Sequence, residues 1–197
     1  MIPSQAPPEI TLASTSPYRK GLLARLGLAF DTVGPQVDET PLPGEAASAL
    51  VLRLSEAKAR AVGTSRPGLI IGSDQVATLG NDILGKPVTH ERATEQLALL
   101  SGRRVTFHTG LCLLDTGTNT VQLDRVPFSV QFRRLTADLI ERYLLQDQPY
   151  NCAGSFKSEG LGITLFERME GEDPTALIGL PLIRLTTMLR AVGVIIP

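Results

Sequence analysis

The sequence predicts an α/β protein built on an elongated, mixed β-sheet with flanking helices. Short apolar runs typical of buried strands alternate with amphipathic segments of helical period, and two long β-rich segments are joined by a short turn. No internal repeat or long linker divides the chain. Because helical crossovers give parallel strands and hairpins give antiparallel ones, we expect both kinds of pairing in one sheet.

The elements of the first half follow from apolar runs and helix signals. The run Ile10-Thr11-Leu12-Ala13 predicts a strand, and Ser16 followed by Pro17 is typical of a helix start. An apolar stripe of helical spacing predicts the second helix. The predicted elements are a strand over 9–14, a helix over 17–26, a strand over 29–33, a helix over 45–62, and a buried strand Leu69-Ile70-Ile71-Gly72 that ends at Ser73-Asp74-Gln75.

Turn and capping signals divide the second half. Gly80-Asn81-Asp82, between two short apolar runs, predicts a hairpin, and Gly117-Thr118-Asn119 predicts a larger one. Thr89 and Thr136 are predicted helix caps, because each precedes an acidic first turn and an apolar helical pattern. The remaining predicted elements are helices over 89–100 and from 136, long strands over 104–115 and 120–133, a loop over 151–162, a strand over 162–167, and a last helix that follows Gly179-Leu180-Pro181 and ends near residue 191.

Composition and charge limit the class of protein. Of 197 residues, 43% are hydrophobic and 20% are charged, which is typical of an ordered globular protein. We expect one domain over 9–197 after a flexible, proline-rich tail over 1–8. The net charge of −1 disfavours a broad nucleic-acid surface. No apolar stretch approaches the roughly 20 residues that span a bilayer, and Cys112 and Cys152 lack metal or redox spacing, so we expect a cytoplasmic protein with no membrane or nucleic-acid partner.

The turn from Ser14 to Arg19 has the ingredients of a phosphate site. It leads into a helix N-terminus, whose free N–H groups favour anions, and Arg19 adds a fixed charge. An ordinary capped helix after a strand has the same local pattern, so the turn alone leaves both interpretations open.

Three charged residues are candidates for the chemistry. Asp74 follows the predicted buried strand, where ligands of α/β sheets bind, and it could act as a base, hold a metal or cap a turn. Lys58 lies near the apolar stripe of its helix and either reaches a cleft or passes the edge of the core. Lys86, between Gly85 and Pro87, either meets negative charge or is a solvated loop residue.

Two loops are weaker candidates. Asp38 and Glu39 lie between prolines, in a setting that suits a divalent cation without proving one. The glycines of 151–162 serve either close approach to a ligand or plain turns.

Taken together, these segments resemble the Maf family of nucleoside-triphosphate pyrophosphatases from Leu12 to Leu189. The matching segments are Leu12-Ala13-Ser14-Thr15-Ser16-Pro17-Tyr18-Arg19, Val37-Asp38-Glu39, Ser55-Glu56-Ala57-Lys58-Ala59, Gly72-Ser73-Asp74-Gln75, Leu84-Gly85-Lys86-Pro87, Leu100-Ser101-Gly102, Ala153-Gly154-Ser155 and Gly179-Leu180-Pro181-Leu182.

The resemblance implies a cytoplasmic, homodimeric enzyme that cleaves a nucleoside triphosphate between its α- and β-phosphates. It also implies a divalent cation (Mg²⁺, Mn²⁺ or Co²⁺) and the fold of inosine-triphosphate pyrophosphatases, with two lobes around a central cleft. The implied roles are Asp74 as the catalytic base that activates water, Glu39 and Asp74 near the metal, and Ser14, Ser16, Arg19, Lys58 and Lys86 as phosphate-binding groups. This constellation supplies the base and the cations that phosphoanhydride hydrolysis needs.

Three positions indicate the branch of the family. Tyr18, Gln75 and Glu159 depart from the branch that acts on dTTP and UTP and resemble the branch that hydrolyses 7-methyl-GTP. A carboxylate such as Glu159 accepts hydrogen bonds from guanine N–H groups, and Tyr18 can stack on the cationic methylated ring. The alternatives are a dTTP/UTP pyrophosphatase, a broader purine house-cleaning enzyme, and a nucleotide-binding regulator of cell division.

Overall fold

The structure is a computed structural model that describes residues 8–196, so the predicted tail over 1–8 lies, except for Pro8, outside the described residues. The strands are β1 (Ile10–Leu12), β2 (Asp31–Thr32), β3 (Leu69–Leu79), β4 (Asp82–Leu84), β5 (Arg104–Asp115), β6 (Thr120–Phe132) and β7 (Phe166–Glu170). The helices are α1 (Pro17–Ala24), α2 (Ala47–Gly63), α3 (His90–Leu100), α4 (Ala137–Asp147), α5 (Pro174–Ile178) and α6 (Leu182–Ala191), and turns of 3₁₀ helix occur at Ala153–Ser155 and Leu161–Leu165.

The strands form one mixed, seven-stranded sheet, which confirms the predicted fold class. Its order is β2-β1-β3-β5-β6-β7, with β4 paired to β3. β1 runs parallel to β2 and β3, whereas β3, β5, β6 and β7 pair antiparallel. Both predicted hairpins are present, as β3–β4 and β5–β6.

The prediction that a strand ends at Ser73-Asp74-Gln75 is wrong. β3 continues through these residues to Leu79, because β5 pairs with it from Leu69 to Thr78. On its other side, β1 pairs only with Leu69 to Ile71. The crevice at Asp74 therefore exists because the neighbouring strand β1 stops, and Asp74 itself lies in the middle of a strand.

The described residues form three hydrophobic clusters, and the long strands connect the two largest. In the first lobe, β1, α1 and α6 pack around residues such as Leu12, Leu23 and Leu185. In the second lobe, α3, α4, β7 and the far ends of β5 and β6 enclose an aromatic cluster that includes Phe107, Phe132, Phe156 and Phe166. The site described below lies between these lobes.

Helix α2 lies unusually close to the sheet. A Cβ atom on Gly72 would be 2.1 Å from the Ser55 carbonyl oxygen, and one on Gly110 would be 2.2 Å from the Val51 carbonyl oxygen. Only glycine allows this approach, and it brings the buried face of α2 directly onto β3 and β5.

Helix caps agree with the predictions, whereas one strand does not. Ser16, Thr89 and Thr136 each accept a hydrogen bond from a backbone N–H in the first turn of their helix. The strand predicted over 162–167 is instead a 3₁₀ turn followed by β7, because β7 takes its register from β6 beyond that turn. Across residues 8–196, none of the helices combines the length and apolar character that a bilayer crossing requires.

Candidate active site

A cavity of about 550 Å³ lies between the two lobes. Every site residue predicted from the sequence contributes to its lining: Ser14, Ser16, Tyr18, Arg19, Glu39, Lys58, Asp74, Gln75, Lys86 and Glu159. Asp38 is outside it, and its carboxylate accepts a hydrogen bond from the Thr40 backbone N–H at 2.9 Å. The structure thus brings together side chains that are far apart in sequence. They form a cluster of cations and carboxylates around Lys58 and an aromatic, acidic group around Tyr18.

Lys58 joins two carboxylates on one wall of the cavity. Its Nζ atom lies 2.6 Å from Asp74 Oδ1 and 2.6 Å from Glu39 Oε1. The side chains of Lys58 and Asp74 are 6% and 10% exposed, whereas that of Glu39 is 58% exposed. Lys58 therefore reaches the cleft, and the alternative that it only passes the edge of the core is excluded.

The cations around Glu39 keep it ionised. Partial burial alone would raise the pKa of Glu39, but the hydrogen bond and charge of Lys58, with the charges of Lys86 and Arg19, outweigh burial and hold that pKa below its ordinary value.

The backbone of Asp74 is fixed by the buried serine Ser55, whose role the sequence alone does not reveal. The Asp74 backbone N–H donates to Ser55 Oγ at 2.9 Å, and Ser55 Oγ donates to the Val51 carbonyl at 2.6 Å. Ser55 lies one turn before Lys58 on α2 and is fully buried. The same helix thus places the lysine and locks the backbone of its carboxylate partner.

The turn before α1 holds a fixed guanidinium. Arg19 Nε donates to the Gly179 carbonyl at 2.9 Å, and Arg19 Nη1 lies 3.5 Å from Ser14 Oγ. Ser14 Oγ also accepts from the Ser16 N–H at 3.1 Å. Burial lowers the pKa of Arg19 from its very high ordinary value, and the charges of Asp74 and Glu39 oppose that effect. The turn therefore presents a positioned cation at a helix N-terminus.

Lys86 lies on the opposite lobe, directly after β4. Its side chain is exposed, and among the residues that the structure describes it forms no hydrogen bond or ion pair. Its charge nevertheless acts on Glu39 across the cavity. An uncommitted cation at this place is available to an anionic ligand.

The described residues offer too few side-chain ligands to surround a metal ion, so a bound ion would also need ligands from a substrate or from water. Residues 8–196 contain no group of three or more His, Cys, Asp or Glu side chains placed to bind one ion. Glu39 and Asp74, however, meet at the same Lys58 Nζ atom. Mg²⁺ is commonly held by one or two carboxylates plus substrate phosphates and water, so the pair fits a cation that arrives with a triphosphate.

The other end of the cavity is aromatic and acidic. The side chains of Tyr18 and Cys152 are interacting neighbours in the lining of the cavity. Burial, then Cys152 and the negative charges of Glu159 and Asp147 raise the pKa of Tyr18 to about 12. Tyr18 therefore stays neutral at physiological pH, in surroundings that favour a positive charge.

Gln75 lines the cavity but is committed to the protein. Its Nε2 atom lies 3.0 Å from Thr109 Oγ1, 2.7 Å from the Ala176 carbonyl oxygen and 3.1 Å from that of Leu177. These acceptors occupy both N–H groups of the amide. The partners of Gln75 and the position of Cys152 beside Tyr18 could not be predicted from the sequence, because both contacts join segments far apart in the chain.

Comparison with known proteins gives an independent view. The family model described as "Maf-like protein" matches residues 9–192. A protein of Nitrosococcus oceani named "7-methyl-GTP pyrophosphatase" is 58% identical over 193 residues, covering 98% of this chain and 97% of its own. One of Pseudomonas fluorescens with the same name is 57% identical over 189 residues, covering 95% of this chain and 98% of its own.

Solved structures support the fold. A HAM1 protein from Coxiella burnetii superposes with a TM-score of 0.56 at 18% identity, covering 93% of this chain and 98% of its own. The Ham1 protein of Staphylococcus aureus gives a TM-score of 0.56 at 13% identity, covering 94% and 100%. At these identities the similarity concerns the architecture alone.

Proposed function

The chain belongs to the Maf-like protein family, and from that premise we propose that it is a nucleoside-triphosphate pyrophosphatase that hydrolyses 7-methyl-GTP to 7-methyl-GMP and diphosphate. The observation that carries the proposal is the pair formed by the buried carboxylate of Asp74 and the exposed carboxylate of Glu39, which Lys58 joins in a cavity that Arg19 and Lys86 also line. The names of relatives that match nearly the whole chain support the same activity.

Asp74 is the proposed base. One of its oxygens, Oδ1, accepts from Lys58, and the other is available to orient a water molecule and accept its proton. Ser55 holds the Asp74 backbone, so the carboxylate needs little reorganisation before the reaction. Lys58 keeps the carboxylate in place and adds positive charge where the attacked phosphoryl group would lie.

The phosphate-binding groups come from both lobes. Ser14, Ser16 and Arg19 lie on the first lobe and Lys86 on the second, so a triphosphate would bridge them. The positive charges of Arg19 and Lys86 balance the negative charge that develops on the leaving diphosphate.

A divalent cation completes the charge balance in this proposal. Around Lys58, the cations Arg19, Lys58 and Lys86 and the carboxylates Glu39 and Asp74 leave less positive charge than a triphosphate needs. Glu39 with Asp74 would hold the ion together with phosphate oxygens. When bound, the ion would neutralise phosphate charge and polarise the attacked group. Which ion serves is tested by the metal series below.

Base selection is assigned to the aromatic, acidic end. Tyr18 would stack on the positively charged 7-methylguanine ring, and Glu159 would accept its N–H groups. Burial is the main cause of the raised pKa of Tyr18, and the negative charges of Glu159 and Asp147 add to it. Those charges would favour a cationic ring over a neutral pyrimidine.

We also propose that the enzyme is a cytoplasmic homodimer, as the family resemblance implies. Both cysteines are free, and burial raises the pKa of Cys112 to about 12, which suits a reducing compartment. Light scattering at several concentrations measures the oligomeric state directly.

The function is tested by diphosphate release from 7-methyl-GTP, GTP, UTP and dTTP with Mg²⁺, Mn²⁺ or Co²⁺. We expect kcat/KM for 7-methyl-GTP to exceed the others by about tenfold or more, which corresponds to about 1.4 kcal/mol. Asp74→Asn is the control, and it should abolish turnover while nucleotide binding persists. Faster hydrolysis of UTP or dTTP would assign the chain to the pyrimidine branch, and diphosphate release by Asp74→Asn would exclude Asp74 as the base.

A further inference from the structure

The chain between α5 and α6 forms a corner against the cavity. Helix α5 has five residues, Pro174–Ile178, and ends at Gly179, whose φ of 122° lies in a region that favours glycine. Leu177 and Ile178 line the cavity. The Gly179 backbone N–H donates to the Thr175 and Ala176 carbonyls at 3.2 Å and 3.1 Å, and this short helix takes further donors from elsewhere.

Side chains of the sheet supply those donors at the start of the corner. Thr109, which is fully buried on β5, donates from Oγ1 to the Ala176 carbonyl at 2.8 Å. Gln75, beside it on β3, donates from Nε2 to the Ala176 and Leu177 carbonyls, and Thr109 Oγ1 lies within the same network at 3.0 Å. The Gln75 amide thus holds both peptide units, and the Thr109 hydroxyl holds one of them, at Ala176.

At its other end, the corner holds the guanidinium of Arg19, one of the proposed phosphate-binding groups. The Gly179 carbonyl accepts from Ser73 Oγ at 2.9 Å and from Arg19 Nε at 2.9 Å. Ser73 is fully buried, and its Oγ also lies 2.8 Å from the Gly110 carbonyl oxygen, so the two carbonyls share its single hydroxyl proton. One short segment, residues 176–179, therefore joins an apolar wall of the cavity to the guanidinium of Arg19.

We infer that Thr109 and Gln75 are positioning residues that act through this corner. They fix Leu177 and Ile178 as one wall of the pocket for the base. The N–H groups of Gln75 do not contact the base, because they already donate to Thr109 and to the carbonyls of the corner. Gln75 thus influences the choice of base through the shape of the pocket. The inference rests on the proposed function and deepens it.

Thr109→Val tests the inference, because valine keeps the shape of threonine and removes the hydroxyl. The matched control is Thr106→Val. Thr106 lies on the same strand with its hydroxyl 3.0 Å from Ser129 Oγ, outside the network. We expect Thr109→Val to accelerate amide hydrogen exchange in residues 174–180 by about tenfold, and Thr106→Val to leave it unchanged.

Kinetics provide the second readout. In Thr109→Val we expect KM for 7-methyl-GTP to rise by about tenfold with kcat changed by less than about threefold, because the wall is misplaced and the catalytic carboxylate is untouched. The preference for 7-methyl-GTP over UTP should fall by a similar factor. Gln75→Met should reproduce these effects, and the double variant should be no worse than either single variant, since the two side chains act as one unit.

The outcomes separate the inference from the proposed function. The positioning role would be overturned if amide hydrogen exchange in residues 174–180 stayed unchanged in both Thr109→Val and Gln75→Met. It would also be overturned if Thr106→Val accelerated this exchange as much as Thr109→Val does. A wild-type protein that releases no diphosphate from any nucleotide would overturn the proposed function, while the exchange experiment would still decide what holds the corner. If Thr109→Val does not fold, Gln75→Met alone decides, because Gln75 is only partly buried.

Discussion

At the scale of single residues, Lys58 shows why a buried charge can be tolerated. Removing an ammonium group from water is costly unless opposite charges and hydrogen bonds compensate for it. Two carboxylates at 2.6 Å provide that compensation. The sequence showed a lysine near an apolar stripe, but it could not show its partners, because Glu39, Lys58 and Asp74 come from a loop, a helix and a strand that only the tertiary fold assembles.

Removing the charge of Lys58 should affect stability and not only catalysis. In Lys58→Met, the nearly buried carboxylate of Asp74 loses its counter-ion, so we expect a loss of about 3 kcal/mol in the free energy of unfolding at neutral pH. Lys86→Met is the matched control, because Lys86 is exposed and uncommitted, and it should change stability by less than about 0.5 kcal/mol. Urea unfolding measures both. Both variants should lose turnover, and equal stability of the two would contradict this account of Lys58.

The phenol of Tyr18 offers a test that depends on pH. Its pKa of about 12 means that the folded protein retains a proton which the unfolded chain releases near pH 10. The folded state binds more protons between these values, so this contribution to stability is complete below pH 10 and is lost as the pH rises towards 12.

We expect the phenolate absorbance of the wild type minus that of Tyr18→Phe to stay flat through pH 10 and to rise only towards pH 12. Circular dichroism at each pH confirms that the fold persists. A midpoint near 10 in folded protein would show that Tyr18 does not experience the burial and negative charge described above.

At the scale of elements, the strands and helices with clear local signals were predictable, and the exceptions have tertiary causes. Alternation and turn residues identified β5, β6 and their hairpin, and Thr89 and Thr136 marked helix starts. The polar run in the middle of β3 has the local appearance of a strand end, but pairing with β5 continues the strand through it. Helix α5 was missed because its five residues offer no periodic signal and depend on donors from the sheet.

The close contact between α2 and the sheet should be sensitive to a single methyl group. In Gly110→Ala, the new Cβ atom would lie 2.2 Å from the Val51 carbonyl oxygen, so α2 would have to move away. We expect a loss of about 1–3 kcal/mol in stability and a displaced Lys58 with lower kcat. In the control Gly21→Ala, the space is open and the helical position favours alanine. Urea unfolding measures both variants. If Gly110→Ala proved as stable as the wild type, the close packing of α2 against the sheet would be refuted.

At the scale of the whole molecule, the cleft depends on two separately packed lobes joined by long strands. Tyr18, Arg19 and Asp74 come from one side and Lys86 and Glu159 from the other, so no single segment contains the site. The sequence supplied its candidate residues. Their separation into a cluster of cations and carboxylates and an aromatic, acidic end depends on the strands β3 and β5, which set the distances between the lobes.

A ligand that touches both lobes should stabilise the molecule more than one that touches a single end. Binding to the folded state alone at a concentration of about 100 Kd adds about 2.7 kcal/mol to the free energy of unfolding. For a chain of this size, that shift corresponds to a rise of roughly 5–10 °C in the melting temperature. The Asp74→Asn variant, which should bind without turnover, allows 7-methyl-GTP to be measured intact by differential scanning fluorimetry.

The matched ligands are 7-methylguanosine, which lacks phosphates, and inorganic diphosphate, which lacks the base. The triphosphate of 7-methyl-GTP would contact Arg19 and Lys86 while its base lies against Tyr18. At equal concentration, 7-methyl-GTP should therefore raise the melting temperature more than either fragment does. Lys86→Met should reduce this rise towards the value for the nucleoside. A shift for 7-methyl-GTP no larger than that for diphosphate would mean that the aromatic end contributes nothing to binding, and that the choice of base is made elsewhere.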